Sequence, residues 1–202
     1  MVIIGLCGNS GSGKGTVSRF FGKYGIPSID ADAVYHDLTN KDSELNRNLA
    51  AKFGIHVLND DFSLNRRALA EVVFSDKSGN LLKDLNKMTH SWVISATEER
   101  IKALTENGEK AVVFDAPLLF ESGYNEKCDI IITVTASKED KIKRIIKRDS
   151  IDESKALDRI NSQLSEEFLV EHSDYVISNF GSVDDVDEQV KKIINNIFNS
   201  EV

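Results

Sequence analysis

The sequence is poor in the residues that mark several classes of protein. Among its 202 residues are two prolines, two cysteines and one tryptophan, which excludes collagen-like chains, proline-rich linkers and disulfide-stapled domains. Cys7 and Cys128 form no Cys-x-x-Cys pair, so we expect two small core residues in a reducing compartment and no cysteine-ligated zinc. No apolar run approaches the roughly 18 residues that a membrane-spanning helix needs.

The chain also has fewer basic than acidic residues. The chain has 25 Lys and Arg against 33 Asp and Glu, a formal net charge of -8, which argues against attraction of the whole surface to nucleic acid or anionic lipid. Any anion must therefore be bound at a local site. Met1 leads directly into apolar residues, with no basic stretch or cleavage site. We expect a cytoplasmic protein, a monomer or small homo-oligomer, with neither nucleic acid nor membrane as a partner.

Short apolar runs bounded by Gly or Asp are typical of strands buried on both faces. Between such runs, apolar residues recur every three or four positions at 17–24 and at 186–197, the pattern of an amphipathic helix. Alternating strands and helices predict an α/β layered fold with ligands at the carboxyl ends of parallel strands. Five strands are predicted, at residues 2–6, 26–29, 111–114, 130–134 and 175–177.

Two segments interrupt this alternation. Residues 31–108 have little strand signal and three helical patterns, at 45–53, 66–74 and 81–104, so they predict a helical insertion. Residues 138–171 are dense in charge around a small apolar face. This second segment is either a solvated helix face or a mobile lid.

The most specific motif is Gly8-Asn9-Ser10-Gly11-Ser12-Gly13-Lys14-Gly15-Thr16, between the first strand and an amphipathic helix. Its spacing and position are those of a phosphate-binding P-loop. Glycines let backbone N–H groups approach phosphate oxygens, and the helix N-terminus adds a favourable dipole. Lys14 adds a positive charge for the β- and γ-phosphates. We therefore predict that residues 9–16 bind a nucleoside triphosphate.

Gly15 stands where most P-loops carry a Ser or Thr ligand for Mg²⁺. The ion would then be held by phosphates, water and a nearby carboxylate, for which Asp115, the acid after the apolar run 111–114, is a candidate. The Gly-Lys-Gly-Thr form resembles small-molecule kinases such as adenylate kinase. Because the guanine-reading Asn-Lys-x-Asp motif is also absent, a kinase is favoured over a GTPase-like switch.

Asp30-Ala31-Asp32 ends the second predicted strand. Phosphoryl transfer to an alcohol needs a carboxylate that orients the hydroxyl and takes its proton. Either aspartate of the pair could do this, although Asp30 is at least as well explained as a helix N-cap. Asp32 is also a second candidate metal ligand. Arg144 and Arg148, on successive turns of the charged segment, can bring positive charge to the transferring phosphoryl group.

Together with other pieces in the same order, these motifs resemble the dephospho-coenzyme A kinase family from residue 4 to about 181. The further pieces are Phe53-Gly54, Leu64-x-Arg66-Arg67-x-Leu69, His90, Pro117-Leu118-Leu119-Phe120-Glu121, Arg159-Ile160 with Gln163, and Asp174-Tyr175-Val176-Ile177-x-Asn179-x-Gly181. The resemblance implies transfer of the γ-phosphate of ATP to the ribose 3′-hydroxyl of dephospho-coenzyme A, with Mg²⁺. It also implies a P-loop nucleoside-triphosphate-hydrolase-type fold: a nucleotide-binding core (1–30, 109–137 and 172–202), a helical coenzyme A-binding domain (31–108) and a helical lid (138–171).

The resemblance also implies residue roles. Asp32 is the acceptor base, and Lys14 and Arg144 act on the phosphates. The residues near adenine are Arg148, Asn179 and Gly181, and those on the acceptor side are Arg67, His90, Pro117 and Leu118. Ser91 stands where the family has a Pro after His90.

Two alternatives stay open. A P-loop kinase of nucleoside monophosphates or of another small alcohol shares the loop and lid. A nucleotide-binding regulator would bind ATP and transfer nothing.

Overall fold

The protein, described here by a computed structural model, forms two compact units. The first unit contains Met1–Ile29 and the chain from Leu104 onward, and the second contains Asp30–Ala103. The structure describes residues 1–199, so the last three residues of the predicted core segment 172–202 lie outside it. The predicted coenzyme A-binding role of 31–108 and the lid role of 138–171 stay predictions.

The sheet has five strands in the order β2-β3-β1-β4-β5. The pairs β1 with β3, β1 with β4 and β4 with β5 are parallel, and every residue of β3 is buried, as expected for a sheet covered by helices on both faces. The predicted α/β fold with a parallel five-stranded sheet is therefore confirmed. The strands are β1 (Val2–Cys7), β2 (Ser28–Asp30), β3 (Ala111–Asp115), β4 (Ile130–Thr135) and β5 (Tyr175–Ser178).

Strand β2 begins two residues later than predicted. Ile26 N donates to Phe21 O at 3.0 Å in a turn, and Pro27 has no N–H to give to a neighbouring strand. The Pro27 carbonyl still accepts from Val113 N at 2.9 Å. Ile26 and Ile29 are therefore both buried, but only the second half of the apolar run forms a strand.

The helices follow the predicted segments closely. The pattern at 81–104 becomes one long helix, and those at 45–53 and 66–74 match within one residue. The helix at 31–39 was not predicted, because among its described side chains only Val34 and Thr39 are buried. The helices are α1 (Lys14–Lys23), α2 (Ala31–Thr39), α3 (Glu44–Phe53), α4 (Arg66–Ser75), α5 (Asn80–Glu106), α6 (Lys138–Asp149), α7 (Glu153–Asn161), α8 (Glu166–Glu171) and α9 (Val183–Asn199).

The core of the first unit lies between the sheet and helices α1 and α9. Val17 and Phe21 of α1 and Val186 and Val190 of α9 are fully buried against Ile4, Leu6, Ile132 and Val134 of the strands. An ion pair joins the two helices at their surface, since Lys23 Nζ lies 2.6 Å from Asp187. This packing fixes the start of α1, and with it the loop that precedes this helix.

The second unit has its own core, built from the apolar faces of α2 to α5. Leu45, Leu49 and Val57 are fully buried there. The buried amide of Asn46 donates to the carbonyls of Thr39, Lys41 and Phe62 and ties two loops together. Leu58 and Leu64 form an isolated antiparallel bridge, which agrees with the weak strand signal of this region.

Two absences expected from the sequence concern membranes and disulfides. Within residues 1–199, no helix has the length and apolar character needed to cross a membrane. Both cysteines are free thiols. Burial raises the pKa of the Cys7 thiol and raises that of Cys128 to about 12, so neither is an activated nucleophile at neutral pH.

Candidate functional site

The P-loop follows β1 and owes its shape to three glycines with positive φ. Gly8, Gly11 and Gly13 have φ values of 144°, 80° and 103°, a region that other L-residues rarely adopt. A Cβ would lie 2.5 Å from Val134 O at Gly8 and 2.6 Å from Lys141 O at Gly11. The glycine spacing read from the sequence is thus required both by backbone conformation and by close packing.

The N-terminus of α1 is left without a counter-charge. Its N-cap residue, Gly13, offers no side-chain acceptor, and the first turn has no acidic residue. The hydroxyl of Ser12 is fully buried, and no group among residues 1–199 hydrogen-bonds to its Oγ. A helix N-terminus without a side-chain cap, with an unsatisfied buried hydroxyl beside it, fits a bound phosphate.

Three cationic side chains gather on this loop. Lys14 Nζ donates to the carbonyl of Gly8 at 3.0 Å. Arg144 Nη1, from α6, donates to the carbonyls of Gly11 and Ser12 at 3.1 Å each. Arg148 Nη2, one turn later, donates to Ser10 Oγ at 3.2 Å. The structure therefore brings together Lys14, Arg144 and Arg148, which the sequence could connect only by motif.

Arg148 is held in place by its neighbour. Its Nε and Nη2 donate to the two carboxylate oxygens of Asp149 at 2.8 and 3.0 Å. Arg159 of α7 donates to the same carboxylate. The hydrogen bond from Arg148, followed by the charges of both arginines, lowers the pKa of Asp149. The carboxylate thus stays ionised and orients both guanidinium groups.

The turn after β5 also reaches the P-loop. Asn179 N donates to Thr135 O at 2.8 Å, and its side-chain amide donates to Ser12 O at 2.7 Å. Gly181 instead lies beside the start of α9: a Cβ placed on this glycine would be nearest to the side chain of Asp185. The structure therefore brings Asn179 to the phosphate loop and places Gly181 at a helix start.

Asp115, the candidate metal ligand, lies at the end of the strand beside the one that leads into the P-loop. It ends β3, pairs in register with Leu6 of β1, and is buried. Gly15 is exposed and supplies no hydroxyl, while Thr16 Oγ1 accepts from Arg19 at 3.3 Å. Within residues 1–199, no three acidic, His or Cys side chains cluster as a metal site. These residues fit an ion held mainly by phosphate and water oxygens, with Asp115 as the protein carboxylate.

Pro117 and Leu118 lie in the turn that follows β3. Leu118 is exposed, whereas the next residue, Leu119, is fully buried and anchors the turn. Phe120 packs edge-on against Phe168 of α8, with 5.5 Å between ring centroids. Leu119 and Phe120 therefore hold the turn in place, and Leu118 remains exposed to solvent.

The second unit carries the two aspartates of the Asp-Ala-Asp motif in different roles. Asp30 is the N-cap of α2, and its Oδ1 accepts from Asp32 N at 2.8 Å and Ala33 N at 3.1 Å. The capping interpretation of Asp30 is confirmed. Asp32 lies in the first turn of α2 and is exposed. The expectation that Asp32 lies at the end of the strand was wrong: β2 ends at Asp30, and because Asp30 caps α2, the helix begins at Ala31.

Arg67 and His90 lie in different helices of this unit. Arg67, in the first turn of α4, is 91% exposed and pairs with Glu71 at 3.1 Å. His90 lies in the middle of α5, which continues unbroken through Ser91. Serine retains the N–H that a proline would lack, so the departure from the family pattern leaves the helix regular. Burial lowers the pKa of His90, which favours a neutral imidazole.

One residue that contacts the P-loop was assigned no function from the sequence. Gln163, in the loop between α7 and α8, accepts from Ser10 N at 2.7 Å. The sequence singled out Gln163 only as part of a family pattern. A partner 153 residues away leaves no local signal, so only the fold could reveal this contact.

Comparisons with known proteins agree with this geometry. The family model "CoaE: Dephospho-CoA kinase" matches residues 2–185. The dephospho-CoA kinase of Lactobacillus johnsonii is 34% identical over 194 residues, covering 96% of this chain and 97% of that protein.

Solved structures agree as well. TT1252 from Thermus thermophilus superposes with a TM-score of 0.82 at 29% identity, over 98% of this chain and 97% of that one. The dephospho-CoA kinase from Campylobacter jejuni superposes with a TM-score of 0.72 at 26% identity, over 99% and 98%. From the family match, the full-length identity and the shared fold, this chain belongs to the dephospho-CoA kinase family.

Proposed function

We propose that the protein transfers the γ-phosphate of ATP to the ribose 3′-hydroxyl of dephospho-coenzyme A, giving coenzyme A and ADP. This is the last step of coenzyme A synthesis. The proposal is carried by one observation: the P-loop, with Lys14, Arg144 and Arg148 gathered on it, belongs to a chain that matches the kinase family from residue 2 to 185. Relatives that align with nearly the whole chain are named for the same activity.

ATP fits the loop as the phosphate donor. The unpaired hydroxyl of Ser12 and the uncapped N-terminus of α1 are suited to phosphate oxygens. Asn179 and Arg148, both in contact with the loop, are the residues we assign to the adenosine side. Mg²⁺, when bound, would neutralise charge on the phosphates. We assign Asp115 to hold that ion, through water where the missing hydroxyl of Gly15 leaves a position open.

Phosphoryl transfer depends mainly on positioning and charge neutralisation, because its transition state is loose. Lys14 and Arg144 would offset the charge that develops on the transferring group. Asp32 would orient the 3′-hydroxyl and accept its proton. Asp32 is exposed, in the first turn of α2.

We assign the acceptor side to Arg67, His90, Pro117 and Leu118. Arg67 forms an exposed pair with Glu71, an interaction worth about 0.5 kcal/mol or less. A phosphate of the acceptor can therefore compete for this guanidinium. His90, favoured in its neutral form by burial, would act through a hydrogen bond and not through charge.

The proposal is tested by measuring ATP consumption with a panel of acceptors. Dephospho-coenzyme A, AMP, CMP, UMP and pantothenate are compared at equal concentration with Mg²⁺, with a blank lacking acceptor. We expect dephospho-coenzyme A to be phosphorylated far faster than the others, with the product phosphate on the 3′-oxygen. A preference for AMP or CMP would show a nucleoside monophosphate kinase instead. Binding of ATP without turnover of any acceptor would point to a regulator.

The expected setting is a cytoplasmic monomer or small homo-oligomer. Sedimentation of the purified protein, with and without ATP, measures the oligomeric state. A large assembly would contradict this part of the proposal.

A further inference from the structure

The loop between α7 and α8, residues 162–165, supports the first half of the P-loop. Ser10 N donates to Gln163 Oε1 at 2.7 Å, and Asn9 Nδ2 donates to the carbonyl of Leu164 at 2.9 Å. Asn9 and Ser10 are both buried. Because a buried N–H group cannot reach water, losing its protein acceptor leaves it without any hydrogen bond, which destabilises that conformation. The conformation at Ser10 therefore depends on a side chain of the α7–α8 loop.

The α7–α8 loop is itself held firmly. Lys141 of α6 is buried, and its Nζ lies 2.8 Å from Glu166 at the start of α8. On the far side of α8, the carbonyl of Leu169 accepts from Thr133 Oγ1 of β4 at 3.1 Å. Helix α8, which follows the loop, is thus tied to both α6 and β4, and this fixes the side of the loop that leads into α8.

Ser10 is held at a second atom by the same segment of chain. Its Oγ accepts from Arg148, whose guanidinium is fixed by Asp149, and Asp149 also accepts from Arg159. The pieces Arg148-Asp149, Arg159 and Gln163, which the sequence could only recognise as a pattern, converge on one residue of the P-loop. Their spacing along α6, α7 and the α7–α8 loop is explained by this shared contact: Arg148 and Gln163 bind Ser10 directly, and Arg159 binds the carboxylate that orients Arg148.

We propose that Gln163 is a positioning residue for phosphate binding. By accepting from Ser10 N, it keeps the Asn9–Ser10 half of the loop in the conformation from which Gly11 and Gly13 turn their N–H groups toward the ligand. Gln163 acts through the loop and touches no reacting atom. The inference rests on the proposed function, because ATP is the ligand whose phosphates the loop would hold.

The test compares three variants. Gln163→Leu removes the acceptor at similar size, and Gln163→Glu keeps an acceptor oxygen. Ser162→Ala is the matched control, since Ser162 lies next to Gln163 and its hydroxyl donates to Arg159 O of α7 at 2.9 Å, away from the P-loop. The measurements are the dissociation constant for ATP by calorimetry, kcat and KM with dephospho-coenzyme A, hydrogen exchange of the P-loop peptide, and the melting temperature.

Gln163→Leu should weaken ATP binding about tenfold, equivalent to about 1.4 kcal/mol, and raise KM for ATP more than it lowers kcat. Its P-loop amides should exchange faster, while those of Gln163→Glu stay protected and Ser162→Ala matches the wild type in every measurement. Wild-type affinity and exchange in Gln163→Leu would overturn the proposal. So would equal losses in Gln163→Leu and Ser162→Ala, or equally fast exchange in Gln163→Glu. Failure of the wild-type protein to bind ATP would instead overturn the proposed function.

Discussion

The side-chain amide of Asn179 donates to the carbonyl oxygen of Ser12 at 2.7 Å, across 167 residues of sequence. The same amide lies so near Gly13 that a Cβ on this glycine would collide with Nδ2. Gly13 has a φ of 103° as well. The turn after β5 and the P-loop are therefore packed in a way that only glycine allows at position 13.

Replacing Gly13 should abolish most activity, and the neighbouring Gly15 provides a matched control. Gly13→Ala forces a collision with Asn179 and an unfavourable φ. Gly15→Ala meets nothing within 4 Å of the new Cβ. We expect kcat/KM to fall about a hundredfold or more for Gly13→Ala, as when a catalytic hydrogen-bond donor is displaced. Steady-state kinetics check this, and a Gly15→Ala variant as damaged as Gly13→Ala would contradict it.

Removing the charge of Lys14 should lower turnover by about two to three orders of magnitude. Lys14 donates to the carbonyl of Gly8 and is not part of the apolar core, so the melting temperature of Lys14→Ala should change little. Lys23→Ala, in the same helix but paired with Asp187, serves as the control and should keep its turnover. Near-normal kcat in a folded Lys14→Ala variant would refute the role of this loop.

The two aspartates of α2 should respond differently to substitution. Asp32→Asn should abolish most turnover and leave ATP affinity and stability close to wild type, because it removes a proton acceptor. Asp30→Ala should lower the free energy of unfolding by about 1 kcal/mol, since it removes the N-cap of α2. Kinetics, ATP titration and denaturant unfolding separate the two effects. If Asp30→Asn, which keeps a capping oxygen, lost more turnover than Asp32→Asn, the base assignment would be wrong.

Local patterns were enough to predict most of the fold. The five strands, the helix after the P-loop and the long helix around His90 follow from apolar spacing, because each buries a continuous face. The exceptions have local causes. The N–H missing at Pro27 shortens β2, and the side chain of Asp30 starts α2 within a motif interpreted as the end of a strand.

The candidate site could be predicted from sequence only where a motif is continuous. Residues 8–16 adjoin one another, so their spacing carries the information. The contacts of Gln163 with Ser10 and of Asn179 with Ser12 cross more than 150 residues. Such contacts depend on which elements the sheet order places together, and no local pattern encodes that order.

The stability of the protein should fall in mildly acidic solution because of His90. Burial lowers the folded pKa of this half-buried side chain below its ordinary value of 6.5. The unfolded chain then binds the proton more tightly, so stability is constant above about pH 6.5 and falls as the pH drops from there through the folded pKa. Melting temperatures from pH 7.5 to 5 measure the slope. His90→Gln should make the slope shallower, and His56→Gln, an exposed position in the same unit, should not. Identical slopes in all three proteins would contradict the prediction.

The last prediction concerns how the metal ion is held where Gly15 lacks a hydroxyl. If Mg²⁺ depends on Asp115, then Asp115→Ala should weaken apparent Mg²⁺ affinity about tenfold or more, as loss of a ligand or of a group that orients one typically does. A hydroxyl at position 15 should partly restore it. Gly15→Ser is sterically allowed, since nothing lies within 4 Å of the new Cβ and no positive φ opposes a side chain.

A double-mutant cycle on apparent Mg²⁺ affinity tests this shared role. Affinity is measured from the Mg²⁺ dependence of turnover in the wild type, Gly15→Ser, Asp115→Ala and the double variant, with Gly15→Ala to separate the hydroxyl from the added methyl group. We expect the loss caused by Asp115→Ala to be smaller in the Gly15→Ser background and unchanged in the Gly15→Ala background. Strict additivity would mean that the two positions do not share the ion, because independent sites do not couple. Asp115 would then act only as a structural carboxylate at the end of β3, and the ion would be held without it.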